Sequence, residues 1–251
     1  MRLLITGLSG TLAPVLARVA RAHGHVVLGW DHRSLGFADG RAFDRLRPDA
    51  VAHLAMAPAE GSAQLAGLAA ARGLPFLMTS TAMVFHHEPD GPHHVGDART
   101  AQDTYGRSKV ASEDAVHAAH AAHAQASVVR IGWQIDPFAN GNNMLAQLDR
   151  WQAEQGEVAA SRAWKPACSF MADTAEGLLA LLPQPGVHHL DSNAQEAWSF
   201  AELVLGLQSC FERHAWRVRV HADYTHDQRL ACVPGDPVPV PLSARLALRR
   251  L

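Results

Sequence analysis

Tyr105 and Lys109 stand four residues apart in the segment AQDTYGRSKV (101–110). On a helix that spacing puts both side chains on one face, one turn apart. A phenol with an ordinary pKa near 10 acts as an acid–base near neutrality only if that value falls by about 3 units, roughly 4 kcal/mol. An ammonium about 4 Å away in a partly buried site supplies an effect of that size. The same spacing is common on surface helices, so the pair needs partners before it reads as chemistry. One partner lies upstream: TSTAMVF (79–85) closes an apolar run, and a hydroxyl there can hydrogen-bond a substrate oxygen beside the phenol.

The second partner is TGLSGTLA (6–13). Gly7 and Gly10 allow a tight turn and close approach of a pyrophosphate, and the helix that follows points its positive end at that charge. Ala13, where a third glycine often stands, still permits close helix–strand packing. Asp31 closes the second apolar run about 20 residues further on, where a carboxylate meets ribose hydroxyls. His32 and Arg33 follow it and suit a 2′-phosphate instead, so the residues imply a dinucleotide and leave both NAD and NADP open.

These residues must be placed by alternating elements. RLLIT (2–6), HVVLGW (25–30), DAVAHLA (49–55), PFLMTS (75–80) and SVVRIGW (127–133) read as strands. TLAPVLARVARAHG (11–24), AQLAGLAAARG (63–73) and a long segment from about Asp103 to Ala124 read as helices. Strands alternating with helices predict an α/β fold with a doubly wound parallel sheet of the Rossmann type. Residues 1–133 and about 171–182 form that dinucleotide-binding domain. About 134–170 and 186–251 form a smaller C-terminal substrate lobe.

Together TGLSGTLA, RPDAVAHLA, STAMVF and YGRSKVASED resemble the extended short-chain dehydrogenase/reductase superfamily. Their order and spacing are most similar to its dTDP-4-dehydrorhamnose reductase-like branch and NAD(P)-dependent epimerase/dehydratase relatives. The resemblance is strong to residue 133 and looser beyond. It implies that Tyr105 is the general acid–base and that Lys109 lowers its pKa and binds the nicotinamide ribose. Thr81, rather than Ser80, matches the catalytic hydroxyl. Gly7, Ser9, Gly10, Thr11 and Leu12 would hold the pyrophosphate, and Leu54, Ala55 and Met56 would line the cofactor cleft. The loop with His86, His87, His93 and His94 would border the substrate. Asn142, Arg162, Trp164 and Lys165 would reach a nucleotide-sugar, the two cations meeting its diphosphate.

The implied activity is hydride transfer between nicotinamide and a sugar-like carbonyl or alcohol. An epimerase that retains its NAD is the rival among enzymes, and a non-catalytic NAD(P)-binding sensor is the rival outside them. Ala82 and Met83 follow the hydroxyl where the family's dehydratases carry two acids, which argues against dehydration. The segment after HLAMAP is shorter than usual, and Gly36-Phe37 stands where an acid often meets adenine.

Composition narrows the field. A formal net charge of -2 offers no electrostatic basis for binding nucleic acid or an anionic membrane. Three dispersed cysteines fit neither a zinc cluster nor a disulfide framework, so no metal is expected and a reduced, cytoplasmic setting is the default. The short run MRLLITG is no targeting or membrane segment. His117, His120 and His123 repeat every third residue, as a solvent- or subunit-facing stripe would, and the resemblance allows a homodimer.

Overall fold

A computed structural model describes residues 1–120, 125–138, 141–211 and 215–247. In chain order the elements are β1 (Arg2–Thr6), α1 (Leu12–Ala22), β2 (Val26–Trp30), α2 (His32–Leu35), α3 (Gly40–Leu46), β3 (Ala50–His53), α4 (Ala59–Ala70) and β4 (Phe76–Thr81). A 3-10 turn (Ala82–Phe85), α5 (Thr104–His120), β5 (Ala126–Ile131), β6 (Trp133–Ile135), α6 (Met144–Gln155), β7 (Val158–Ser161), β8 (Trp164–Lys165) and β9 (Cys168–Phe170) follow. The last are α7 (Met171–Leu181), β10 (Gly186–Leu190), α8 (Phe200–Cys210), β11 (Val218–His221), β12 (His226–Asp227) and α9 (Leu242–Ala247).

Six parallel strands form the central sheet in the order β2-β1-β3-β4-β5-β10. Alternate side chains feed opposite faces, as the pleat requires. Leu3 and Ile5 of β1 join Val15 and Leu16 of α1 and Leu178 of α7. Leu4 joins Phe43 of α3, Leu65 of α4 and Val116 of α5. Because the chain runs from β1 outward to β2 and then back across to β3, a crevice opens beyond the carboxyl ends of β1 and β3.

Three departures from the sequence reading have physical causes. Residues 186–190 are not part of the smaller lobe: α7 returns the chain beside β5, and β10 pairs with it to complete the sheet. The strand expected over 127–133 breaks at Gly132, where a Cβ would lie 2.2 Å from the Ala167 carbonyl carbon. Trp133–Ile135 then pairs with β9 instead. The histidine stripe is not one solvent face: His117 is exposed, but His120 is buried with its ring 5.6 Å from that of Phe76; His123 lies outside the described residues.

A second apolar cluster gathers Ile135, Leu145, Val158, Phe170, Phe200 and Trp216. Around it β7 pairs with β11 and β8 with β12, in ribbons too short to leave a periodic pattern in the sequence. Among the described residues no helix is long and apolar enough to cross a membrane.

Glu113 joins two strands and the loop before its own helix. Its carboxylate accepts hydrogen bonds from Arg130 of β5 at 3.0 and 2.8 Å, from the Ser80 hydroxyl of β4, and from Arg99 at 3.3 Å. Burial pushes the Glu113 pKa up, but hydrogen bonds and charge from Arg130, with Ser80 and Arg99 adding, hold it below the ordinary 4.5. The ionised form therefore stabilises the fold above pH 4.5, and that contribution is lost as pH falls through the depressed value. Glu113→Gln is expected to reduce unfolding free energy by about 3 kcal/mol or more, because it leaves Arg130 buried without its counter-charge. The gap between wild type and variant should narrow as urea melts are repeated below pH 4.5.

Candidate active site

The first βα turn is closed by the Gly10 N–H donating to the Gly7 carbonyl at 2.8 Å. Gly7 has φ +78°, and a Cβ there would lie 2.9 Å from the Ala55 backbone nitrogen. Glycine is thus required by both conformation and close approach. Behind the turn, the buried Thr6 hydroxyl accepts from the N–H groups of Leu54 (3.1 Å) and Ala55 (3.0 Å). Its own proton therefore goes to His53 Nδ1 at 2.8 Å, which locks the ends of β1 and β3 together. Helix α1 starts with no side-chain cap and no acid in its first turn. Its opening N–H groups and positive dipole end are left for an anion. Gly7, Gly10 and the start of α1 at Thr11 and Leu12 fit a pyrophosphate on those grounds.

The Asp31 carboxylate accepts from the Arg33 N–H and the Ser34 hydroxyl, both at 3.0 Å, and so caps α2. The His32 side chain lies outside the described structure. Phe37 packs its ring 6.0 Å from His53 and over Gly61 of α4, an apolar wall where the sequence has no acid.

Tyr105 and Lys109 project from the first two turns of α5. Gly106 between them is pressed onto the 3-10 turn, where a Cβ would stand 2.6 Å from the Ala101 Cβ and 2.8 Å from the Met83 carbonyl oxygen. The Asp103 side chain accepts the Gly106 N–H at 2.8 Å and starts the helix. Ser80 and Thr81 end β4. The Ser80 hydroxyl is spent on Glu113, whereas Thr81 accepts from the Met83 N–H at 3.2 Å.

The electrostatics differ from the sequence expectation. Burial raises the Tyr105 pKa above 10.0 although the residue is 41% exposed, the nearby Thr81 hydroxyl pulls it down, and Asp103 adds to the rise. The Lys109 ammonium donates to the Thr79 carbonyl at 3.1 Å. Burial lowers its pKa, and Glu113 one turn on opposes that. Lys109 is not among the groups that move the Tyr105 value here, and Tyr105 is itself 41% exposed at the cavity, so the upward push of burial is weaker than for a fully enclosed phenol.

One cavity of about 590 Å³ unites these groups. Gly7, Gly10, Thr11, Leu12, Leu54, Met56, Thr81, His86, Tyr105, Lys109, Asn142 and Trp164 line it. Ser9, Asp31, Arg33, Ala55, Arg162 and Lys165 do not. Ala55 is buried behind the Gly7 turn. Lys165 alternates away from Trp164 along β8 and pairs with Asp227 across the ribbon at 3.6 Å. Arg162 is exposed in the turn after β7. The two cations expected at a diphosphate therefore stand outside the cavity.

Sequence reasoning missed Trp133, Gln134, Trp151, Tyr224 and Gln228, which also line it. The chain has two tyrosines, Tyr105 and Tyr224, and both are here. The histidine-rich loop is more than a polar surface: His93 is buried, with its ring 4.6 Å from that of Phe85. Among the described residues no group of three or more His, Cys, Asp or Glu could hold a metal ion.

A six-stranded parallel sheet with a glycine turn at its switch point defines a Rossmann-type protein. The family profile described as RmlD substrate binding domain matches residues 56–226, well over half of the chain, and the chain belongs to that family. A dTDP-4-dehydrorhamnose reductase of Mycolicibacterium smegmatis is 30% identical over 212 residues, covering 75% of this chain and 63% of the relative. One of Mycobacterium tuberculosis is 30% identical over 202 residues, covering 72% and 65%. The chain thus spans less than two thirds of these relatives' length. The fold is shared with the dTDP-4-dehydrorhamnose reductase of Bacillus anthracis in complex with NADP, at TM-score 0.79, 18% identity and coverage of 98% and 96%. It is shared too with the Bordetella bronchiseptica enzyme WbmH in complex with NAD+, at TM-score 0.76, 18% identity and coverage of 98% and 95%.

Gly7→Ala is expected to destabilise the chain by about 1–3 kcal/mol, the cost of forcing a side chain into a left-handed turn against neighbouring backbone. Urea denaturation checks this, with Gly24→Ala as the control, since Gly24 has φ +76° but nothing within 4 Å of its added methyl.

Proposed function

We propose that this chain is an NAD(P)-dependent oxidoreductase acting on a carbonyl or alcohol of a sugar-like substrate, nucleotide-linked as in the relatives. The observation that carries the proposal is the meeting of Thr81, Tyr105 and Lys109 in one cavity with the Gly7–Gly10 turn and the uncapped start of α1. The dinucleotide, when bound, supplies or accepts hydride.

The chain's own residues do the rest. Gly7, Gly10 and the first N–H groups of α1 hold the pyrophosphate. Thr11 contributes through its backbone, since its hydroxyl already accepts from the Asn142 N–H at 3.2 Å. Asp31 suits ribose hydroxyls and Arg33 a 2′-phosphate, so the reading covers both NAD and NADP. Thr81 holds the substrate oxygen beside the Tyr105 phenol. With its pKa raised, Tyr105 keeps its proton at neutral pH and is ready to donate it to a carbonyl oxygen in the reducing direction. Lys109, fixed on the Thr79 carbonyl, places a positive charge next to that exchange.

Calorimetry with NADH and NADPH, followed by turnover assays on nucleotide-sugars, tests the reading. Tyr105→Phe is expected to lower kcat by about 100-fold or more, the usual share of a positioned acid, while the dinucleotide Kd stays unchanged. Net consumption of NAD(P)H separates a reductase from an epimerase that re-reduces its own intermediate. Binding of neither dinucleotide at millimolar concentration would sink the proposal.

A further inference from the structure

Tyr224 is the second phenol of the cavity, and the surrounding hydrogen bonds determine which way its proton points. Its oxygen lies 2.8 Å from Nδ1 of His226, whose Nε2 lies 3.1 Å from the Glu88 carbonyl oxygen. A carbonyl can only accept, so Nε2 carries the ring proton. His226 is buried at 3% exposure, and burial lowers its pKa below 6.5, so the ring is neutral at pH 7. Nδ1 then has a lone pair and no proton, and the bond must run from the Tyr224 O–H to the histidine. The phenol has no second proton to give. What it can offer a ligand is acceptor capacity alone.

The segment is held for this. The His226 N–H donates to the Ala163 carbonyl at 3.1 Å, and the Asp227 N–H donates to Pro89 at 2.8 Å. The Tyr224 carbonyl accepts from the Ser161 hydroxyl at 2.6 Å, and the Gln228 amide reaches the Met83 sulfur at 3.3 Å. Residues 224–228 are thereby clamped between the loop that follows Thr81 and the strand that bears Trp164. The Trp164 ring meets the Tyr224 ring edge-on, with centroids 5.6 Å apart. The phenol is 41% exposed, and it lines the cavity that Tyr105 lines.

We propose that Tyr224 is a substrate-positioning residue whose phenol oxygen accepts a hydrogen bond from a substrate hydroxyl, with His226 setting it in the acceptor state. The cavity therefore selects a hydroxylated carbonyl compound over a plain cyclic ketone. This rests on the oxidoreductase reading above and adds a specificity determinant to it. Tyr105 serves the reacting oxygen, and Tyr224 orients the substrate by a hydroxyl elsewhere on it.

The test compares wild type, Tyr224→Phe and His226→Phe on dTDP-4-dehydrorhamnose and on cyclohexanone, with folding checked by Tm. For Tyr224→Phe, KM for the hydroxylated compound should rise about 3- to 10-fold, the size one hydrogen bond carries. Its kcat should stay near wild type, and kcat/KM for cyclohexanone should not change. His226→Phe removes the acceptor of the phenol proton and should reproduce the KM rise without altering dinucleotide affinity. A purely structural role would instead lower Tm and depress both substrates together, which overturns the inference. If wild type turns over neither compound, the oxidoreductase reading fails by itself. Calorimetric titration with dTDP-4-dehydrorhamnose then decides the inference: a weaker Kd in Tyr224→Phe upholds it, and equal affinity or no binding by either protein overturns it.

Discussion

A single buried carboxylate organises the cavity end of this protein. Glu113 sits on the face of α5 that carries Tyr105 and Lys109, two turns and one turn before it. Its oxygens are met by the Arg130 guanidinium of β5 and the Ser80 hydroxyl of β4. The same guanidinium lies over the Phe85 ring at 4.9 Å and donates to the Val95 carbonyl at 3.1 Å. Helix, two strand ends, the 3-10 turn and the loop before α5 are thus registered to one charge pair. A buried pair costs desolvation, and it persists where every lone pair is satisfied. Here that condition is met, and the cost secures geometry: Ser80 is withdrawn into the ion pair while Thr81, next along the strand, is left out of it at the cavity.

The cavity is a seam between chain segments far apart in sequence. One wall comes from the glycine turn and the ends of β1 and β3. A second comes from Thr81, Met83 and His86, and the third from Trp133, Trp151, Trp164, Tyr224 and Gln228. The Asn142 N–H on the Thr11 hydroxyl joins the third wall to the first, and Gly141 allows that approach because a Cβ there would stand 2.8 Å from the same hydroxyl. The walls differ in character. The side with the glycine turn is built from backbone and small residues, whereas the opposite side is aromatic, with Trp133 and Trp164 rings 6.3 Å apart.

What could be read in advance follows this division. The sheet and the positions of Gly7, Gly10, Tyr105 and Lys109 were legible because each depends on local spacing: apolar runs of strand length, a turn, four residues on a helix. Glu113 carried the same signal, being the next step of four after Lys109, but an acid on a helix ordinarily faces water. Tyr224 and Gln228 carried none. They flank a two-residue strand whose partner is β8, and such a ribbon has no period to detect. Lys165 was misplaced for the opposite reason: its charge suggested a diphosphate, while its parity relative to Trp164 already placed it on the other face of the strand. The direction of the Tyr105 shift was hidden too, because it depends on how much solvent the folded chain removes.

Gly106 shows how such a site is misread from function alone. It touches no reacting atom, yet any side chain there would meet the Met83 carbonyl and the Ala101 methyl and push α5 off the 3-10 turn. Tyr105 and Lys109 would then lose their alignment with Thr81 although all three remained intact. In a survey of inactivating substitutions, Gly106 would score beside Tyr105 and Lys109 themselves. Its identity is dictated by the space between two backbones, not by chemistry.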